Sequence, residues 1–129
     1  MILVDTTVWI DFFRGTETPQ VSALEKFLAD GEDICICGIV LTEVLQGVRD
    51  DAEYEKTRSQ FGAFLFLPMH PGTYVLAAEL YRTLRRKGVS IRKPLDCMIA
   101  AVAIEQDVPL LHHDRDFDLI QQHCGLKAV

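Results

Sequence analysis

Long apolar runs are missing from this chain. No segment approaches the roughly 18 consecutive apolar residues of a membrane span, so no membrane partner is expected. The opening Met1-Ile2-Leu3-Val4 reaches Asp5 without a basic leader, which argues against a secretory signal and for a cytoplasmic protein. Cysteine is sparse. Cys35, Cys37, Cys97 and Cys124 form no C-x-x-C pair and no zinc-type spacing, which argues against a cysteine metal site and for buried, reduced thiols. Internal repeats, low-complexity tracts and linkers are also absent, so the 129 residues are read as one domain.

An excess of positive charge is lacking too. With 13 basic and 19 acidic residues the net charge is −6, which at first speaks against a nucleic-acid partner. The distribution modifies that reading. Arg82, Arg85, Arg86, Lys87, Arg92 and Lys93 fall in one stretch without a single acid, so the chain can still offer phosphate a local basic strip. Arg85, Arg86 and Lys87 also suit the C-terminal end of a helix dipole, which makes Arg92 and Lys93 the better candidates for nucleic-acid contact.

What is present is a regular alternation of elements. Ile2-Leu3-Val4 is continuous and apolar, as buried parallel strands are. Asp5-Thr6-Thr7 then supplies helix-start chemistry for a helix over 8–13. The spacing predicts further helices over 19–30, 39–48, 50–62, 73–87, from Pro94 onward and over 116–123. Strands are expected over 33–37, 64–67 and 109–111. Strands alternating with helices imply an α/β fold, a central, mainly parallel sheet flanked by helices on both faces.

The informative residues are acids placed where acids are costly. Asp5 is the only charged residue in the first ten, Glu43 the only one between Asp33 and Arg49, and Asp96 the only one between Lys93 and Glu105. Asp114 follows His112 and His113 at the end of a predicted strand. In open parallel sheets, ligands bind outside the carboxyl ends of the strands, and Asp5 and Asp114 both lie there. Four carboxylates about 6 Å apart at an effective dielectric of about 20 repel by on the order of 10 kcal/mol. Such a pocket must take up protons or hold a cation. An all-oxygen set suits Mg²⁺ or Mn²⁺ rather than zinc, and such ions activate water and stabilise charge on a phosphate. Each acid also has a plainer role open to it: Asp5 as a helix cap, Asp96 as a complement to a helix dipole, Asp114 and Asp116 as parts of a solvated turn. His112 and His113, adjacent on a strand, point to opposite faces and cannot readily chelate one ion.

Four segments then share a likeness. Ile2-Leu3-Val4-Asp5-Thr6-Thr7-Val8-Trp9, Thr42-Glu43-Val44-Leu45-Gln46-Gly47, Pro94-Leu95-Asp96-Cys97-Met98-Ile99-Ala100-Ala101 and the stretch 110–117 resemble, in order and spacing, the acidic motifs of PIN-domain proteins, specifically VapC-type toxins. The resemblance covers essentially the whole chain, making residues 1–129 a single PIN-like nuclease domain. It implies an endoribonuclease dependent on Mg²⁺, with Mn²⁺ as substitute, held inactive by a small cognate antitoxin and assembled as a homodimer. It implies Asp5, Glu43, Asp96 and Asp114 as the catalytic and metal-binding acids, with Asp116 sharing or taking the fourth position. Thr6, Arg92 and Lys93 are assigned to RNA. The apolar Trp9, Phe12 and Phe13 are expected to be exposed and to form a groove for a partner helix, with core burial the plainer role for at least one of them. Two other classes stay open: a PIN-fold binding module with weak or no activity, and an acidic-pocket phosphohydrolase. Against the latter, Asp5-Thr6-Thr7 lacks the second Asp that phospho-aspartate phosphatases carry two residues on.

Overall fold

A computed structural model describes all residues, 1–129. Four short strands, β1 (Ile2–Val4), β2 (Ile34–Cys37), β3 (Leu65–Leu67) and β4 (Leu110–Leu111), form one sheet in the order β3-β2-β1-β4. Every pairing is parallel, with Ile2 opposite Ile34, Leu3 opposite Leu110 and Cys35 opposite Leu65. Seven helices supply the crossovers: α1 (Thr6–Arg14), α2 (Pro19–Ala29), α3 (Gly38–Gln46), α4 (Asp51–Phe61), α5 (Pro71–Arg86), α6 (Leu95–Glu105) and α7 (Arg115–Cys124). This is the α/β arrangement expected from the alternation of apolar runs.

The central strand β1 and its neighbour β2 are buried at every residue, which is why their sequences read as unbroken apolar runs. Leu3, Val4, Ile36 and Leu110 from the sheet pack with Leu24, Leu84, Ile99 and Ile120 from the helices. Helix α6 is buried almost all round, Cys97 and Ile99 to Ala103 each below a tenth exposed. The edge beside β4 is covered by the chain's own tail: Leu110 N–H donates to Lys127 O at 2.9 Å, and Val129 N–H to Leu110 O at 3.1 Å.

Differences from the sequence reading sit at element ends. Helix α1 starts at Thr6, not Val8, because Asp5 caps it by accepting Thr7 N–H. Helix α5 starts at Pro71, where proline's missing N–H is no loss, and Thr73 Oγ1 accepts the His70 N–H. Helix α1 closes on Gly15 at φ 71°, a left-handed conformation that favours glycine. No helix is long and apolar enough to cross a membrane.

One expectation is corrected outright. Trp9 is not exposed but fully buried, because α1 turns that face against Phe61 and Phe64 (ring centroids 4.8 and 5.4 Å away). Phe12 is partly buried, and of the three aromatics only Phe13 stands open.

The strand order carries the functional consequence. From β1 the chain steps to β2 and then β3 on one side, whereas β4 joins β1 on the other. The direction of winding therefore reverses between β1 and β4. In open parallel sheets that reversal leaves a crevice at the carboxyl ends of the two strands, and ligands bind there. Asp5 directly follows β1, and Asp114 follows β4 by three residues.

Candidate functional site

All but one of the acids at the crevice are held at an element boundary. Asp5 ends β1 and caps α1; its Oδ2 accepts Thr7 N–H at 3.1 Å and Thr7 Oγ1–H at 2.5 Å. Glu43 projects from the middle of α3, and its Oε1 accepts the Thr6 hydroxyl at 2.8 Å. Asp96 lies in the first turn of α6, where a carboxylate complements the helix dipole. Asp114 caps α7 through Asp116 N–H at 2.8 Å. Asp116 is buried, and its Oδ2 accepts the backbone N–H groups of Arg92 and Lys93 at 3.0 and 3.2 Å. Capping and site-building are thus one arrangement: the caps bring the carboxylates to the strand ends.

Of these acids, Asp96, Asp114 and Asp116 offer oxygens that all lie within 4.8 Å of one another. Asp5 and Glu43 fall outside that tight group. Asp5 is nevertheless near enough that its charge acts on Asp96, and the charge of Glu43 acts on Asp5. Thr6, assigned above to RNA, is buried and spends its hydroxyl on Glu43.

The electrostatics follow from crowding and burial. Burial pushes the Asp96 carboxyl up to about 7; Lys93 opposes the shift, and Asp5, Asp114 and Asp116 add to it. Asp5 is also raised, by burial working against the Thr7 hydrogen bonds. Asp114 goes the other way. Burial would raise it, but the Lys93 hydrogen bond, the Asp116 N–H and the charges of Lys93 and Arg92 together hold it below the usual carboxylate range. Lys93 Nζ donates to Asp114 Oδ2 at 2.6 Å, and Arg92 lies 3.7 Å from both Asp114 and Asp116. Both side chains remain more than half exposed.

Three features show that this donor set fits a hard divalent cation. All donors are carboxylate oxygens, the ligand type that hard divalent cations take. Asp96 Oδ2 is buried without any hydrogen-bond partner, a costly condition that a ligated cation relieves. The Lys93 ammonium already sits against Asp114 as a stand-in positive charge.

The two histidines take no part in that set. His112 packs on Phe117 with its Nε2 3.8 Å from Asp118, and burial lowers its affinity for a proton. His113 faces Asp11, with Nδ1 3.5 Å from Oδ2, so the neighbours do diverge as strand geometry requires. Thr7 is the residue that sequence reasoning passed over. It orients Asp5 and also accepts His113 N–H at 3.3 Å, tying the ends of β1 and β4 together. Its position two residues after an aspartate at a helix start, where Asx-type turns form, was the available signal.

Comparison with known proteins agrees with this geometry. The PIN domain family model matches residues 2–122. Ribonuclease VapC11 of Mycobacterium tuberculosis is 32% identical over 131 residues, covering 100% of this chain and 98% of the relative. Ribonuclease VapC51 of the same organism is 28% identical over 123 residues, covering 95% of this chain and 87% of its own. Among solved structures, VapBC2 from Rickettsia felis bound to a promoter DNA fragment superposes with a TM-score of 0.77 at 21% identity. That match covers 100% of this chain and 98% of the other. A toxin–antitoxin complex from Klebsiella pneumoniae gives 0.71 at 21% identity, covering 91% and 90%. These two likenesses concern the fold alone. With four ordered acidic motifs, the parallel sheet they sit on and a full-length relative in agreement, this chain belongs to the PIN-domain family, in its VapC group.

Proposed function

We propose that this protein is a metal-dependent endoribonuclease and the toxin of a toxin–antitoxin pair, acting in the cytoplasm. The observation that carries the reading is the convergence of Asp96, Asp114 and Asp116 at the carboxyl ends of β1 and β4, with one Asp96 oxygen buried and unpartnered. Its being a nuclease of the PIN family rests on relatives that bear the name ribonuclease. The choice of RNA and of Mg²⁺, with Mn²⁺ as substitute, belongs to this proposal.

Asp5, Asp96, Asp114 and Asp116 would hold the cation, with Glu43 beside them. When bound there, a divalent ion supplies an activated water and charge stabilisation for the scissile phosphodiester. The chain's own groups set the stage. Thr7 fixes the Asp5 carboxylate and Thr6 fixes Glu43, so neither has to be ordered when substrate arrives. Burial keeps bulk water off Asp5 and Asp96. Arg92, two-thirds exposed at the mouth of the pocket, is placed to receive a phosphate of the RNA backbone. Cleavage of an end-labelled structured RNA tests the reading. Activity is expected with Mn²⁺ or Mg²⁺, lost in chelator and falling steeply with salt; cleavage that persists in chelator would refute the metal dependence.

The antitoxin has a surface to meet. Trp9, Phe12, Phe13, Leu28, Phe61 and Phe64 line an apolar groove of about 360 Å³ beside α1. An amphipathic helix lays its apolar face into such a groove, and a cationic side chain from it would relieve the acid repulsion next door. Hydrogen exchange with and without the cognate antitoxin should show added protection over 9–14 and 61–64. Unchanged exchange in both stretches would remove the groove from the account. A homodimer would cover a second apolar surface, where Phe66 and Tyr74, each about half exposed, line a pocket with Ile39 and Met69.

A further inference from the structure

We propose that Lys93 is a built-in competitor of the metal: its ammonium and a divalent cation claim the same Asp114 carboxylate, so loading the site requires Lys93 to leave it. This rests on the metal reading above and adds a device that sets how readily the site fills.

The geometry makes the conflict concrete. Asp114 has both oxygens engaged, Oδ2 by Lys93 Nζ at 2.6 Å and Oδ1 by Asp116 N–H at 2.8 Å. Its side chain is only 6% exposed, so little room remains for an added ligand while Lys93 stays. A single and a double positive charge about 5 Å apart in a near-aqueous dielectric oppose each other by roughly a tenfold factor in affinity.

The backbone makes the exchange easy. The Arg92 and Lys93 N–H groups are pinned to Asp116 Oδ2, so the chain before α6 stays in place while the side chain swings. That side chain is long and half exposed, and it can leave Asp114 without disturbing packing. Once displaced, its ammonium stands beside Arg92 at the mouth of the same pocket, where a phosphate would arrive. Metal loading would then convert Lys93 from an occupant of the acid site into part of the RNA-binding strip. Lys93 is on this view a positioning residue, and its effect appears in metal affinity before any RNA is added.

The test is Mn²⁺ binding to the full chain without RNA, read by the electron paramagnetic resonance of free Mn²⁺. Wild type is compared with Lys93→Met, Lys93→Arg and Lys127→Met, with thermal melts to confirm folding. Lys127 pairs with Asp107, so its replacement controls for net charge. Lys93→Met should bind Mn²⁺ about tenfold more tightly than wild type. Lys93→Arg, which keeps the cation, and Lys127→Met should bind as wild type does. Unchanged or weaker binding by Lys93→Met would overturn the competition while leaving the metal site standing. Failure of wild type and Lys93→Met alike to bind Mn²⁺ would overturn the metal reading itself.

Discussion

Replacing Asp96 by Asn should lower metal-dependent RNA cleavage by about a hundredfold or more under single-turnover conditions, with the fold intact. The reason lies in its surroundings. Asp96 is the buried acid with an oxygen that nothing else satisfies, so its charge serves neither a salt bridge nor a cap hydrogen bond. Asp5→Asn should be comparably damaging, because Asp5 follows β1 at the same crevice and its charge acts on Asp96. Glu43→Gln should also lose activity, although an amide still accepts the Thr6 hydroxyl and keeps the side chain in place. Asp114→Asn should cost less, since that carboxylate already shares its charge with Lys93 and Arg92. Near-normal cleavage by Asp96→Asn would remove this residue from the site.

The same substitution should have the opposite effect on stability. In chelator, Asp96→Asn should raise the melting temperature at pH 8, by about 1–3 kcal/mol or roughly 3–10 °C. Burial and the neighbouring acids raise the folded-state carboxyl to about 7, whereas the unfolded chain titrates near 3.8. Between those values the folded state binds the extra proton, so wild-type stability should rise as pH is lowered from about 7 toward about 4. Above pH 7 the penalty is fully present. Asp5, also raised, contributes with the same sign. Asp114 is lowered, so its stabilising contribution is lost only at lower pH still. Asp96→Asn should flatten much of the dependence between pH 8 and 5. Millimolar Mn²⁺ should stabilise the wild type by mass action and the variant much less. If Asp96→Asn is destabilising in chelator by the roughly 1 kcal/mol of a lost helix-end interaction, and Mn²⁺ shifts both proteins alike, the carboxylates do not share a cation.

Much of the fold was legible because its signals are local. The unbroken apolar runs of β1 and β2, the Pro and Gly bounds of the helices and the isolation of Asp5, Glu43 and Asp96 in apolar stretches can each be read within a few residues. Which of Trp9, Phe12 and Phe13 is buried could not. Residues 8–13 are amphipathic, and which of three aromatics turns inward depends on where Phe61 and Phe64 arrive from distant elements. Asp116 illustrates the same limit from another side. In sequence it belongs to a charged run, Asp114-Arg115-Asp116, that suits a solvated turn; in the fold it is buried beneath the backbone of Arg92 and Lys93. In sequence those two cations suit a strip facing RNA. Their proximity to Asp114 and Asp116 spans more than twenty positions in the chain, and only the fold discloses it.

The capping readings and the site readings, set against each other in the sequence, turn out to be compatible. Asp5 and Asp114 both cap helices and both stand at strand ends flanking the winding reversal. A cap hydrogen bond engages one carboxylate oxygen: in Asp5 the other is left available, and in Asp114 the other is the one Lys93 holds, so one aspartate can begin a helix and still face a cation.

The central claim, that these carboxylates jointly hold a divalent cation, is tested most directly by anomalous diffraction at the manganese edge from crystals soaked in millimolar Mn²⁺. One dominant peak is expected at the carboxyl ends of β1 and β4, within direct ligation distance of Asp96 Oδ2 and of an Asp116 or Asp114 oxygen. No peak there in well-ordered crystals, with Asp96 Oδ2 still unpartnered, would contradict it.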